Sequence, residues 1–264
     1  MKTLNQYIQE KLIINKDYND NMIVVKTFDE WKKIIEDRYD KLGPGTEHDP
    51  IDFNDIDVSN MDSFCNNKDK GIFEGTNFKY LDISDWDVSN VTNMTALFYR
   101  CKDLKSVGDI SKWDVSSVTD MWYMFFNCES FNQDISKWNV SSVTNMGHMF
   151  WCCKSFNQDI SGWDVSSVTD MKYMFVGCKK FNQNISKWDV SKVNNMSYMF
   201  FGCVNFNQNI SSWDVSKVKD MCAMFKLCKS FNQDLSGWNV SNVIEMDDIF
   251  YDCPMKEEYK PKFK

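Results

Sequence analysis

Few residues of this chain are suited to acid–base or nucleophilic chemistry. The 264 residues include two histidines, His48 and His148, although a nucleophile–histidine–acid triad needs a histidine as its base. His148 occupies a repeated position that holds tyrosine at 123, 173 and 198, which indicates a variant of that position. The signatures G-x-x-x-x-G-K-[ST], G-x-G-x-x-G and H-E-x-x-H do not occur. We therefore expect neither an enzyme nor a cofactor.

Carboxylates also recur at a fixed spacing and could hold a metal ion. Aspartate occupies positions 114, 164, 189 and 214, but asparagine replaces it at 139 and 239. Asp134 and Asp159 likewise give way to Asn184 and Asn209, so no pair of carboxylates is maintained. Both residue types accept hydrogen bonds from turn backbone, and we expect turn capping here. Calcium binding is the remote alternative.

Ten cysteines raise the question of disulfides or a soft-metal site. No C-x-x-C pair is present, so zinc is not favoured. Small secreted scaffolds use disulfides because they cannot build a core, whereas this chain is long and 43% apolar. We expect a stack of buried free thiols, although the distance between neighbours leaves disulfides open. Seven cysteines share one phase: Cys101, Cys128, Cys153, Cys178, Cys203, Cys228 and Cys253.

These positions recur because most of the chain is a 25-residue repeat. A fixed period of this size indicates one structural unit stacked on itself. Within residues 128–152, we predict a short strand at Phe131–Ser136 and one or two helical turns at Met146–Cys152. Stacked Asn132 and Gln133 equivalents would form hydrogen-bonded amide ladders. The repeated tryptophans are Trp86, Trp113, Trp138, Trp163, Trp188, Trp213 and Trp238.

The sequence divides into three parts. Residues 1–50 form an N-terminal capping segment, residues 51–253 the repeats (51–80 degenerate), and residues 254–264 a polar tail that caps the far end. In the first part, capping boxes at Thr3 and Thr27 begin two helices, and Met22–Lys26 is predicted as a strand. A helix–strand–helix cap would cover the first open face of the stack. Asn66–Gly75 reads as a polar insertion.

Composition limits the partners. The net charge is −8 and charged residues make up 26% of the chain, a balance that argues against nucleic acid and against anionic membrane surfaces. No run of 18 apolar residues is present, so we expect no membrane insertion. Met1–Asn15 has no apolar stretch typical of a signal peptide. We expect a cytoplasmic or virion-associated protein, or a cell-surface protein if a leader was removed.

The pattern WDVSSVTDMWYMFFNCESFNQDIS resembles the BspA-like leucine-rich-repeat surface protein family over about residues 81–253. Trp-Asp-Val-Ser, Met-x-x-Met-Phe-x-x-Cys and Phe-Asn-Gln recur in order. The resemblance implies an α/β repeat fold: a leucine-rich-repeat-like parallel solenoid with a short strand and a short helical turn per coil. It also implies binding of macromolecules, often at a cell surface, with adhesion to host proteins as the usual role. The opening MKTLNQYIQEKLIIN is faintly similar to phage-encoded proteins.

Two surfaces compete as the binding site. One is the polar strand face, on which such repeat proteins commonly meet ligands; it is represented by Asn132, Asp134, Asn157, Asp159, Asn182 and Asn184. The other is a variable, largely aromatic row, because contiguous aromatic patches usually mark interaction sites. This row comprises Trp122, Phe126, His148, Trp151, Tyr173, Val176, Tyr198 and Phe201.

We therefore expect a non-enzymatic protein-binding or adhesion module with a partner of unknown identity, such as a host surface protein or a carbohydrate. The first alternative is a structural or virion-associated component that self-associates through its ends or flank. The second is a carbohydrate-binding repeat protein. Rigid stacking suits a protein-binding surface, because little ordering entropy is lost on binding.

Overall fold

A computed structural model describes residues 22–25, 27–66 and 70–263. It contains β1 (Ile23–Val24), α1 (Phe28–Leu42), β2 (Ile51–Asp52), β3 (Ile56–Asp57) and β4 (Leu81–Asp82), followed by short 3₁₀ helices at Ile110–Lys112 and Glu257–Tyr259. β1 pairs with β3 and β2 with β4, both in parallel. The helix predicted to begin at Thr3 lies outside the described residues. No described helix has the length and apolar character needed to cross a membrane.

The helix α1 begins and ends as the sequence suggests. Thr27 Oγ1 accepts a hydrogen bond from the Glu30 N–H at 3.2 Å, and the Thr27 N–H donates to Glu30 Oε2 at 3.1 Å, which completes the expected capping box. Gly43, at φ 72°, ends the helix. The buried Trp31 ring packs edge-on against Trp86 at 5.4 Å, so the helix covers the first repeats.

Successive repeats stack in parallel through a stretch of backbone that we call the turn segment. Its parallel bridges follow a 25-residue spacing from Asp120 to Glu245. Alternate N–H groups in each segment donate to carbonyl oxygens of the next repeat, as Phe125 does to Met149 at 3.0 Å. The turn segments are residues 119–127, 144–152, 169–177, 194–202, 219–227 and 244–252.

The turn segment is a series of overlapping turns. Two of its residues have positive φ, as Tyr123 (59°) and Asn127 (60°) do. Two of the other N–H groups close turns on the residue three positions back: Met124 on Met121 at 3.2 Å and Phe126 on Tyr123 at 3.0 Å. An α-helix requires negative φ throughout and bonds to the residue four positions back. The prediction of helical turns at Met146–Cys152 is therefore wrong.

A second stretch, the amide segment, joins the repeats through side chains. The Asn157 N–H donates to Asn132 Oδ1, and Gln158 Nε2 donates to Asn132 O, both at 2.8 Å. The expected amide rows do bond along the stack, but each glutamine from Gln158 onward donates to the asparagine of the preceding repeat and not to another glutamine. The strand predicted at Phe131–Ser136 is not formed, because these bonds replace a backbone ladder. The amide segments are residues 131–136, 156–161, 181–186, 206–211 and 231–236.

The core consists of identical side chains stacked repeat upon repeat. The rings of Phe125, Phe150 and Phe175 follow one another at 5.7 Å and lie within 6° of parallel. Every repeat tryptophan is buried, and its indole N–H donates to a carbonyl oxygen of the preceding repeat, as Trp163 does to Ile135 at 3.1 Å. Because a buried indole N–H without an acceptor is costly, these bonds fix the register of the stack.

The cysteines form the predicted column of buried thiols. All seven cysteines that share the repeat phase are free thiols, and six of them are buried. Each buried Sγ donates to a carbonyl oxygen of the preceding repeat, as Cys153 does to Phe125 at 3.0 Å. Burial raises the pKa of the Cys153 thiol well above its ordinary value. These thiols are structural donors, since thiolate reactivity requires a lowered pKa.

The two ends of the stack differ from its middle. The polar insertion predicted at Asn66–Gly75 lies partly outside the described residues, but its Phe73 is described and continues the phenylalanine column: this ring is fully buried and stacks on Phe98 at 5.6 Å. At the far end, the tail lies on the last amide segment, where Leu235 N–H donates to Tyr259 O at 2.9 Å. Thus the tail covers that side of the last repeat.

Candidate binding surface

The half-buried aromatic residues of the turn segments form one continuous surface with Tyr99 of the preceding repeat. We call this surface the aromatic ribbon. Its rings touch across five consecutive repeats. His148 lies 4.5 Å from both Tyr123 and Tyr173, and Tyr173 stacks on Tyr198 at 4.6 Å. Phe126 stacks on Trp151 at 5.4 Å. The ribbon comprises Tyr99, Trp122, Tyr123, Phe126, His148, Trp151, Tyr173, Tyr198 and Phe201.

The backbone position of the ribbon is unusual for bulky residues. Tyr123, His148, Tyr173 and Tyr198 all have φ between 57° and 59°, a left-handed conformation that costs roughly 1–2 kcal/mol for a residue with a Cβ atom. A stacked aromatic pair recovers about 0.5–1.5 kcal/mol, so the two effects nearly cancel. Ala223 adopts the same conformation in its repeat. The fold therefore does not require rings here.

The ribbon is uncharged at neutral pH. Burial, and then the nearby Lys172 ammonium, lower the pKa of His148 from 6.5 to about 4. Its Nδ1 is buried and has no hydrogen-bond partner within the described chain. Burial raises the pKa of Tyr123 and Tyr173. The surface therefore offers apolar faces with neutral polar groups, and no titrating acid or base.

The structure brings together seven of the eight residues predicted for the aromatic row. Their rings stack on one another and are half-buried. Val176 is the exception, since it is 6% exposed and cannot contribute much contact area. Tyr99 was missed. The signal was present, because Tyr99 precedes Phe126 by the same 27 residues that separate Trp86 from Trp113.

The predicted strand-face residues also lie in rows, but their side chains are engaged within the protein. Asn132 and Asn157 accept N–H bonds from the next repeat. Asp134 Oδ1 accepts the Ser136 N–H at 2.9 Å, and Ser136 lowers the pKa of this carboxyl. The remaining three residues behave in the same way: Asp159, Asn182 and Asn184. This arrangement supports a structural role for the face.

The repeated carboxylates at the next corner also cap turns. Asp114 Oδ1 accepts the Ser116 N–H at 3.0 Å, and its pKa is lowered by hydrogen bonds from Ser116. Asp164, Asp189 and Asp214 repeat this geometry. Across residues 22–25, 27–66 and 70–263, no group of three or more His, Cys, Asp or Glu side chains is placed to hold a metal ion.

Solved structures and curated proteins show little similarity to this chain. Among solved structures, a leucine-rich repeat protein from Bacteroides ovatus ATCC 8483 is 13% identical, with a TM-score of 0.19, over 66% of this chain and 64% of that chain. This chain thus spans less than two thirds of that protein, and so low a TM-score does not bear on the fold. No curated protein is significantly similar.

A family model, in contrast, matches the repeats themselves. The matched ranges are residues 67–175 and 158–261, which overlap and together cover most of the chain. They include every ring of the aromatic ribbon and all the turn segments from Asp120 onward. On this evidence, the chain belongs to the family described as "Mycoplasma protein of unknown function, DUF285".

Proposed function

We propose that this chain is a non-enzymatic protein-binding module and that the aromatic ribbon is its binding surface. The observation that carries the proposal is the ribbon itself: neutral rings in contact over five repeats, in columns where other repeats hold Ala223, Val176 and Lys226. Membership of a repeat family of unknown function is compatible with this role.

The chemistry of the ribbon favours a protein partner. Tryptophan and tyrosine dominate binding hot spots because they bury much area with few rotatable bonds. The pKa of His148, lowered to about 4, keeps the ring neutral, so no charge must be desolvated on binding. The mutual stacking of Trp151, Phe126 and Tyr173 holds the rings in place before a partner arrives, which reduces the entropy lost on association.

Adhesion to a host surface protein is the finer form of this proposal, and it rests on the resemblance of the repeat to BspA-like surface proteins. A head-to-tail assembly component is less well supported, because α1 packs on the first repeats through Trp31 and Trp86. A carbohydrate partner is less well supported too, since the strand-face amides and carboxylates that would bind hydroxyl groups are engaged within the protein.

The test replaces Phe126 and Trp151 together with serine. The purified chain would be screened by biolayer interferometry against a panel of host extracellular-matrix proteins and a panel of glycans. For a protein that binds the wild type, we expect the double variant to lose at least about 100-fold in affinity, since two hot-spot rings contribute about 2 kcal/mol or more each. Leu42→Ser, which removes a 62% exposed apolar side chain from α1, is the matched control.

Two results would contradict the proposal. One is protein binding that the double variant retains at wild-type strength. The other is binding of glycans alone. Thermal unfolding of both variants checks that the fold persists, since loss of ring stacking costs only about 0.5–1.5 kcal/mol per pair. Light scattering of the wild type tests the assembly alternative, which requires a concentration-dependent oligomer.

A further inference from the structure

The last turn segment, residues 244–252, has an open edge. In the preceding repeat, the N–H groups of Met221, Ala223, Phe225 and Leu227 all donate to this last segment. Within the described part of the chain, the equivalent N–H groups of the last segment have no acceptor. These are the N–H groups of Met246, Asp248, Phe250 and Asp252. We call this row the terminal edge.

The terminal edge offers donors on its open side. Its carbonyl oxygens at Glu245 and Ile249 already accept bonds from the preceding repeat, at 2.8 and 2.9 Å. An ordinary sheet edge presents N–H and C=O groups alternately. This edge can instead pair with a segment whose carbonyl oxygens point toward it at alternate residues. Each turn segment presents its carbonyl oxygens in this way to the turn segment before it.

The side chains along the edge combine apolar surface with negative charge. Ile244 is 69% exposed and Tyr251 59%, both large values for apolar or aromatic residues. Asp248 pairs with Lys226 at 2.6 Å, and Asp252 pairs with Lys229. Glu245 and Asp247 are exposed and have no ion-pair partner within the described residues. The edge is therefore complementary to a segment that carries lysine or arginine.

A second copy of the chain does not fit this edge. If two such edges met, donors would face donors and carboxylates would face carboxylates. The opposite end of the stack, which would offer carbonyl oxygens, lies beneath α1, whose Trp31 packs against Phe73 and Trp86. The tail does not pair with the four N–H groups of the edge either: its hydrogen bonds go to the last amide segment, at Leu235 and Asn232, and only its Lys260 ammonium reaches the edge, 5.9 Å from the centre of the Phe250 ring.

We propose that the terminal edge binds a basic peptide segment of a partner protein, which adds to the stack as one further turn segment. Apolar residues of the peptide cover Met246 (38% exposed) and the half-buried Phe250. Glycine or asparagine occupies the two left-handed positions, which lie four residues apart in every turn segment. Main-chain bonds provide affinity, and the charges provide selectivity. The edge is distinct from the aromatic ribbon, and the proposal does not depend on that surface.

The probe is a synthetic peptide, Lys-Met-Lys-Gly-Met-Phe-Lys-Gly-Ser, which carries glycine at both left-handed positions. We expect this peptide to slow amide hydrogen exchange, measured by NMR, at residues 246, 248, 250 and 252 of the full chain by at least about tenfold. The variant Glu245→Lys with Asp247→Lys should weaken binding by about tenfold or more. Glu36→Lys with Asp37→Lys makes the same change of charge on exposed positions of α1 and should leave affinity unchanged.

Three outcomes would overturn the proposal. The first is equal binding of a control peptide with glutamate in place of each lysine. The second is peptide binding without protection of the four amides. The third is a dimer, seen by light scattering, in which these amides are protected without peptide. Circular dichroism of both double variants establishes that they fold, and the exchange measurement on the wild type tests the proposal independently of any substitution.

Discussion

The turn segment and the amide segment both join successive repeats by hydrogen bonds, but they use different chemical groups. In the turn segment, backbone N–H groups bond to backbone oxygens of the next repeat, as Phe125 does to Met149. In the amide segment, side chains make the corresponding bonds, as Asn132 and Gln158 do. The tryptophan of each repeat also bonds through its side chain, because its indole N–H donates to a carbonyl oxygen of the preceding repeat.

This difference explains which residues of the repeat vary. Where side chains supply the bonds, their identity is fixed: Trp recurs from 86 to 238, and Asn-Gln recurs at every step from 132–133 to 232–233. Where the backbone supplies the bonds, the side chain is free, so one position holds Phe126, Trp151, Val176, Phe201 and Lys226. A stack held by its main chain on one side can change the surface it displays there without loss of register.

The largest effect should come from removing a side-chain donor that no water can replace. Trp188→Phe removes the 3.1 Å indole bond to the buried Ile160 carbonyl oxygen, which keeps only its 3.2 Å bond from the Trp163 N–H. We expect the free energy of unfolding to fall by about 2–3 kcal/mol, from the lost hydrogen bond and the lost ring area together. Trp151→Phe, in the ribbon, should cost less than about 1.5 kcal/mol. If denaturant unfolding showed similar losses of unfolding free energy for the two variants, the distinction between side-chain and backbone bonding would be wrong.

A smaller loss is expected from the amide ladder itself. Asn182 Oδ1 accepts bonds from the Asn207 N–H and from Gln208 Nε2. Asn182→Ala removes both, so we expect a loss of about 1–2 kcal/mol in urea unfolding, limited by exposure to water. Asn194→Ala changes an exposed asparagine of a turn segment, where the bond to Thr169 uses the backbone, and should stay within about 0.5 kcal/mol of wild type.

A gain in stability should follow from relieving a left-handed residue. Cys152 has φ 56°, and glycine fills the equivalent positions 177 and 202. Cys152→Gly should raise the free energy of unfolding by about 1 kcal/mol. Cys222 is also half-buried but does not have positive φ, so Cys222→Gly should be destabilising. If both variants lost stability in thermal unfolding, the assigned backbone strain would be wrong.

The smallest effect should depend on pH. His148 has a pKa of about 4 in the folded chain and 6.5 unfolded, so the unfolded state binds the proton first as pH falls. Its contribution to stability is full above pH 6.5 and declines toward pH 4, then stays constant. Solvent at the half-exposed ring reduces its size. His148→Tyr should flatten the unfolding free energy across this window relative to wild type, and an unchanged slope would show that the ring does not titrate as assigned.

Sequence periodicity was sufficient for the stacking and for its side-chain bonds. Tryptophans, cysteines and amides that recur at one spacing predicted the buried columns and the ladders, because identical residues in stacked units meet one another. The capping box at Thr27 and Glu30 was equally readable, since it depends on local backbone alone.

The local backbone conformation within the repeat could not be predicted from the sequence. Alternating apolar and polar residues at Phe131–Ser136 are typical of a strand, and Met146–Cys152 has a helical distribution of apolar residues. Neither pattern predicts that the backbone hydrogen bonds between repeats run through Met146–Cys152. The positive φ of His148 and Cys152 cannot be inferred from their residue types. Glycine at 177 and 202, in the same column as Cys152, was the available signal. The roles assigned to the ribbon residues stay predictions.

The indole-to-carbonyl bond has a consequence for how such a gene can change. Each interior unit bonds to the unit before it and the unit after it, and Trp163, Trp188 and Trp213 reach the preceding unit through the same bond. Recombination between near-identical stretches of DNA that duplicates or deletes one unit would therefore rejoin compatible surfaces. Lineages can lengthen or shorten the molecule in whole steps and still inherit both of its ends unaltered.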